Sequence, residues 1–297
     1  MDNLFDFEKT WLLITEVQGV QTALLAAAVL AVVAGILGPL IVMRRMSFAV
    51  HGTSELALTG GAAALLLDVG VEYGALAGAV VAALLLGILG TRDADRDSVI
   101  GVILSFGLGM GVLLLSLYKG RSANKFGILT GQIITIDSTN LTMFIVASAA
   151  ILLVLALIYR PLLFASVDRN VAVARGVPVS LLTVLFSVLV GVATALSVQV
   201  VGSLLVVAMM VTPAAAAVRI TASPWKATVL SIVFAEVAAL GGIVLSLAPG
   251  LPVSAFVTAI SFLIYVICRV VAWARDRRSD VRATSEPEPV GELLTRA

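Results

Sequence analysis

The chain has very little with which to do chemistry in water. It holds one histidine and one cysteine in 297 residues, and only 12% of it is charged, against about a quarter in an ordinary soluble domain. The single cysteine, Cys268, forms no internal disulfide and no zinc cluster, and it lies in an apolar run. One histidine excludes a catalytic or haem site built on two histidines of one chain. No G-x-x-x-x-G-K-[ST] is present, so the chain has no P-loop for ATP, and neither H-E-x-x-H nor G-x-S-x-G occurs. The net charge is +1, so no polyelectrolyte partner is implied and nucleic acid is excluded. What is present is hydrophobic: 60% of the residues, with a mean hydropathy of +1.12. In water such a chain exposes far too much apolar surface. The composition excludes a soluble enzyme and a disordered protein, and predicts a polytopic membrane protein surrounded by lipid.

A membrane span takes about 20 apolar residues. Nine runs meet or approach that length: Thr22–Met43, Met46–Leu67, Tyr73–Leu89, Val99–Tyr118, Leu141–Tyr159, Val179–Val201, Gly202–Val218, Ala227–Ala248 and Val253–Val271. They are rich in Ala, Leu, Val and Gly and lack the alternation of a membrane barrel, so the expected fold is an all-α bundle of eight or nine transmembrane helices. The second run carries His51, Glu55 and Gly60-Gly61 and is the least apolar. The sixth and seventh abut at Gly202. They are either two spans joined by a tight turn or one span followed by a broken or re-entrant piece. The acidic amino terminus has no signal-peptide pattern, and Trp11-Leu12-Leu13-Ile14 predicts a short interfacial helix.

Lysine and arginine placement orients the bundle. With the amino terminus outside and nine spans, fifteen of the nineteen basic residues fall on the cytoplasmic side. The outside four are Lys9, Lys119, Arg121 and Lys125, three of them in the loop Lys119–Asn140. That loop holds a semi-apolar stretch, Phe126–Ile136, which reads as a helix at the outer face. The expected division is an extracytoplasmic amphipathic segment over 1–19, a transmembrane domain over 20–273 and a flexible cytoplasmic tail over 274–297, in a multi-pass plasma-membrane protein.

Ionisable groups inside a bilayer are costly and mark function by default. His51 and Glu55 are spaced i, i+4, which places them on one helix face about 5–6 Å apart at Cβ. Imidazole with carboxylate suits a divalent transition ion such as zinc or manganese, with zinc slightly favoured for the imidazole. The competing reading is a His–Glu pair that only staples helices. Glu236 lies near the middle of the eighth run and either lines the path, pairs with His51 or accepts a hydrogen bond. Asp68, at the end of the second run, is a second pathway candidate, although charge at a helix end is more often solvated. Gly35, Gly38, Gly107, Gly109 and Gly111 read chiefly as close-packing positions, and Pro213 interrupts the seventh run. Asp168 through Pro178 begins with an N-cap and stops at Gly-x-Pro, which predicts a short helix on the inner face.

Four stretches, Arg44 through Gly60, Ile100–Leu117 with Leu129–Ile133, Asp168–Pro178 and Val201–Ala217, resemble in order those of one family, the integral-membrane permeases of zinc, manganese and iron ABC importers. Arg44-Arg45-Met46-Ser47-Phe48 through Gly60 resembles its Arg-Arg-Met segment. Ile100–Leu117 with Leu129–Ile133 resembles its Gly-Ile-x-Phe-Ser and Leu-Phe-Gly-Asn-Ile-Leu stretches. Asp168–Pro178 resembles its Asp-Pro-Glu-x-Ala-x-x-x-Gly-Val-Pro motif, with Arg169 in place of Pro and Asn170 in place of Glu. Val201–Ala217 resembles its Val-Gly-x-Leu-Leu-Val stretch. The resemblance implies a permease without ATPase activity of its own. Its partners would be cytoplasmic ATP-binding subunits, an extracytoplasmic metal-binding protein and a second permease copy. It implies coupling to the ATPase through Asp168, Arg169, Ala172, Arg175 and Gly176, and a metal path at His51 and Glu55. The family commonly has Asp then His at that spacing, so this chain keeps one oxygen and one nitrogen ligand in reversed order. The mechanism implied is alternating access. A secondary transporter using Glu55 or Glu236 as proton carrier, and a non-transporting membrane scaffold or sensor, are the rival readings.

Overall fold

The computed structural model describes residues 7–89, 93–120, 138–247, 249 and 251–285. The described residues are helical throughout, with short connections. The helices are α1 (Phe7–Glu16), α2 (Gln18–Met43), α3 (Ser47–Leu66), α4 (Val71–Leu89), α5 (Asp93–Leu117), α6 (Ser138–Val167) and α7 (Arg169–Ala174). After them come α8 (Val179–Val201), a 3-10 turn (Ser203–Leu205), α9 (Val206–Met210), α10 (Thr212–Ile220), α11 (Pro224–Leu247) and α12 (Val253–Ser285). The Phe126–Ile136 stretch, the Leu129–Ile133 motif and residues 286–297 lie outside the described residues.

Among the described residues, seven helices are long and apolar enough to cross a membrane: α2, α4, α5, α6, α8, α11 and α12. The 20-residue α3 is not among them, because Ser47, His51, Thr53, Ser54, Glu55 and Thr59 dilute its apolar content. Its length nonetheless matches a hydrocarbon core of about 30 Å. Neighbouring protein makes it tenable there. α3 packs against α4, α5, α8 and α9, and twelve of its residues are buried, Glu55 among them. Polar side chains on this helix face other helices more than lipid.

Glycine permits those approaches. A Cβ on Gly60 would overlap the carbonyl oxygen of Gly74, and one on Gly78 would overlap that of Leu56, so α3 and α4 cross backbone to backbone. On α2, a Cβ at Gly38 would come 2.6 Å from the Ala214 Cβ and 2.8 Å from the Met210 carbonyl oxygen. The packing reading of Gly35, Gly38, Gly107 and Gly111 holds. Gly109 is different, with no atom within 4 Å of where its Cβ would be.

The sixth and seventh runs part at Gly202, which takes φ +82° and ends α8. The chain returns through the 3-10 turn and α9, breaks again at Val211, and restarts as α10 with Pro213 in its first turn. This broken segment goes from one end of the bundle to the other. Thr183, early in α8, meets Arg44 at the end of α2, so α8 stops at Gly202 at the opposite end; the segment then comes back to Ile220, whose carbonyl accepts from Arg275 late in α12. Gly38 of α2 and Ser231 of α11 are neighbours, so the start of α11 lies at the same end as Arg44. With α3 and the broken segment, the described chain traverses the bundle nine times. Arg44, Arg45, Arg169, Arg175, Arg219, Lys226 and Arg275 gather at that one end.

The Trp11–Ile14 stretch is helical as expected, within α1, and Trp11 and Leu12 are exposed. The boundary expected at residue 274 is not a structural one: α12 continues unbroken to Ser285, so the first part of the expected flexible tail is helix. Neither proline nor glycine occurs between Val253 and Ser285 to stop it.

Candidate functional site

The site lies on α3. His51 Nδ1 and Glu55 Oε1 are 3.9 Å apart, as the i, i+4 spacing requires. The Glu55 side chain is 3% exposed and that of His51 35%, so the pair opens to one side only, through the imidazole. Neither His51 Nδ1 nor Glu55 Oε2 has a hydrogen-bond partner among the described residues. A buried carboxylate oxygen without a donor is costly in a helix that exists only to pack. That cost argues against a mere staple.

Two neighbours hold Glu55 in place. Gly107 of α5 presses directly on it, since a Cβ there would lie 3.0 Å from the Glu55 carbonyl carbon and 3.1 Å from its Cβ. The Thr59 hydroxyl, one turn along α3, donates to the Gly107 carbonyl at 2.6 Å and approaches the Glu55 carbonyl at 3.0 Å. α5 is thereby tied to the turn that carries the carboxylate. Thr53 and Ser54, next to the pair in sequence, donate to the carbonyls of Ala49 and His51 at 2.8 and 2.7 Å, which leaves only their lone pairs for a ligand. The support from Thr59 is absent from the sequence reading. Its signal was its i+4 place after Glu55.

No group of three or more His, Cys, Asp or Glu able to hold a metal occurs among the described residues. The pair therefore offers one nitrogen and up to two oxygens. A bound ion would complete its shell with water or with groups from elsewhere.

The other candidates lie apart. The acidic side chain beside His51 is Glu55, not Glu236. Glu236 is on α11, which packs against α2, α10 and α12, and its Oε2 has no partner among the described residues. Asp68 is exposed at φ +57°, just past the end of α3, where Val69 N–H donates to the Ala64 carbonyl at 2.9 Å. Its place is the left-handed stop of a helix.

The short helix predicted from Asp168 to Pro178 is α7. The Asp168 carboxylate caps it by accepting from Val171 N–H at 3.0 Å. Gly176, at φ +77°, ends it while Val177 N–H donates to the Ala172 carbonyl at 3.0 Å. Ala172 is 0% exposed, packed with Ala165 of α6 and Val179 of α8. Arg169, Val171, Val173 and Arg175 are exposed. Of the five predicted coupling residues, Ala172 thus anchors the helix, Asp168 and Gly176 shape its ends, and Arg169 and Arg175 face outward.

Residues 16–272 match the family described as the ABC 3 transport family. The chain is 30% identical, over 85% of its length and 90% of that protein's, to the manganese import system permease protein ScaB of Streptococcus parasanguinis. It is also 30% identical, over 76% of its length and 78% of that protein's, to the manganese transport system membrane protein MntC of Halalkalibacterium halodurans. Among solved structures it resembles a chain of PsaBC from Streptococcus pneumoniae in complex with Fab. The TM-score is 0.79 at 28% identity, covering 89% of this chain and 95% of that one.

Proposed function

We propose, on the premise that the chain belongs to the ABC 3 transport family and is a metal-ion ABC importer permease, that it passes a divalent transition-metal ion inward through the plasma membrane, with manganese as the favoured cargo. The preference for zinc drawn from the imidazole finds no support among the relatives, whose names say manganese, and it is set aside. The donor set is compatible with that choice, since carboxylate oxygen suits manganese and a single imidazole does not exclude it.

The observation that carries the reading is the His51–Glu55 pair, partly open through the imidazole, on a polar helix enclosed by its neighbours. A two-residue site holds an ion briefly, as transport requires, because a closed cage would not release it. In alternating access, the outer opening loads the pair and the inner opening empties it. The gathering of arginines at the α7 end supports a cytoplasmic location for that end, with the amino terminus outside. The exposed Arg169, Val171, Val173 and Arg175 offer a mixed apolar and basic face for an ATP-binding subunit. An extracytoplasmic metal-binding protein would deliver the ion at the other end, and a second copy of the permease would complete the pathway.

The test is uptake by the reconstituted complex with its ATP-binding subunits and binding protein. His51→Ala and Glu55→Ala, at normal expression, are expected to lower ATP-dependent manganese uptake at least about tenfold. Full uptake by both variants would sink the assignment of the path. With manganese, zinc and iron competing at equal concentration, manganese is expected to be taken up in preference, and zinc outcompeting it would overturn the choice of ion.

A further inference from the structure

Arg44 ends α2 and reaches two other helices. Its Nη2 donates to Thr183 Oγ1 at 2.7 Å and its Nη1 to Ser166 Oγ at 3.2 Å. The guanidinium carbon lies 5.4 Å from the ring centroid of the buried Phe186. Both hydroxyl protons are already committed: Ser166 donates to the Leu162 carbonyl at 2.6 Å and Thr183 to the Val179 carbonyl at 2.9 Å. Each oxygen therefore presents lone pairs to Arg44, which is what a guanidinium fork, all donor and no acceptor, requires.

The two anchors flank α7. Ser166 lies two residues before the cap Asp168, and Thr183 five residues after Pro178. One guanidinium thus holds the chain entering α7 and the chain leaving it. On its other side Arg44 is joined to α3 through Arg45 and Met46 alone. Arg45 takes φ +55°, and the turn is closed by Arg45 N–H to the Val42 carbonyl at 3.1 Å and Met46 N–H to the Ile41 carbonyl at 2.8 Å. Met46 is itself 2% exposed, and its carbonyl accepts from Val50 at 3.1 Å. His51 is the next residue. A doubly bonded turn with a buried exit passes a displacement on and does not absorb it.

We infer that Arg44 is the mechanical link between the ATPase-facing helix and the metal pair: a positioning residue that couples movement of α7 to the position of His51 and Glu55. The inference rests on the proposed function. It assigns Arg44 no contact with the ion.

The test measures manganese transported per ATP hydrolysed by the full complex in proteoliposomes. Arg44→Lys keeps the charge but not the planar fork. The double substitution Ser166→Ala with Thr183→Val keeps Arg44 and removes both acceptors. Each is expected to lower the transported ion per ATP by about tenfold while ATP hydrolysis continues. The pair Ser166→Thr with Thr183→Ser retains both hydroxyls and is expected to keep the wild-type ratio. An unchanged ratio in the first two variants overturns the link. So does a fall of transport and hydrolysis in the same proportion, or failure of both to assemble, since Arg44 would then serve folding alone. The two readings fail differently: a wild-type complex that moves no metal defeats the transport reading, whereas wild-type transport with unaltered ratios in the variants defeats only the link.

Discussion

Gly107→Ala tests how closely the metal pair depends on α5. The added Cβ would lie 3.0 Å from the Glu55 carbonyl carbon and the Leu56 nitrogen, and 3.1 Å from the Glu55 Cβ. Non-bonded carbons settle at about 3.5–4.0 Å, so α5 withdraws or the Glu55 turn moves by roughly half an ångström. Two of the opposing atoms are backbone, so no flexible side-chain end can give way. Overpacking of this kind costs about 1–3 kcal/mol, and alanine recovers about 1 kcal/mol of helix propensity over glycine. The net loss of stability is therefore about 0–2 kcal/mol. The functional effect is expected to be larger than the effect on stability. Withdrawal lengthens the 2.6 Å bond from Thr59 to the Gly107 carbonyl and loosens the carboxylate, and losing such outer support typically lowers affinity or activity about tenfold or more. The control is Gly109→Ala, two residues away on the opposite face, where the Cβ meets nothing within 4 Å. The assay is manganese uptake at sub-saturating ion, together with the thermal midpoint of the purified complex. Uptake is expected to fall for Gly107→Ala and to hold for Gly109→Ala. Wild-type uptake at Gly107→Ala, or an equal loss at Gly109→Ala, refutes the account.

Two further outcomes follow from the same geometry. The exchange His51→Asp with Glu55→His keeps one nitrogen and one oxygen ligand on the same face of α3, in the order common in the family; it is expected to retain uptake within about tenfold, and complete loss would show that ligand order matters as much as ligand type. Gly176→Ala meets no atom within 4 Å, so its cost is the left-handed backbone alone, about 1–2 kcal/mol; denaturation of the purified complex reads the loss of stability, and an unchanged midpoint would mean that the end of α7 relaxes out of its φ of +77°.

The His51–Glu55 pair was legible as a pair because its geometry is local: four residues along a helix fix which side chains meet. The cap at Asp168, the stop at Gly176-Val177-Pro178 and the interruption at Gly202 and Pro213 were legible for the same reason, since caps and breaks act within a turn. Glu236 was not. Its distance along the chain from His51 carries no information about which face of which helix it shares, and it sits on α11 without an ion-pair partner among the described residues.

The amino-acid sequence by itself determined the solvent of this protein, the helical content and the asymmetry of basic charge, because apolar length and hydropathy act residue by residue. It also marked His51 and Glu55 as the costly pair. Tertiary structure alone decided that the least apolar run is a traverse of the bundle, since α3 is sheltered by its neighbours and not by its own hydropathy. It decided that the abutting runs cross as one full and one broken helix. It also brought Arg44 to Ser166 and Thr183, 122 and 139 residues away. Those outcomes depend on which helices pack together, and packing is set by pairwise fit between distant surfaces, with glycine at the crossings, which no local pattern encodes.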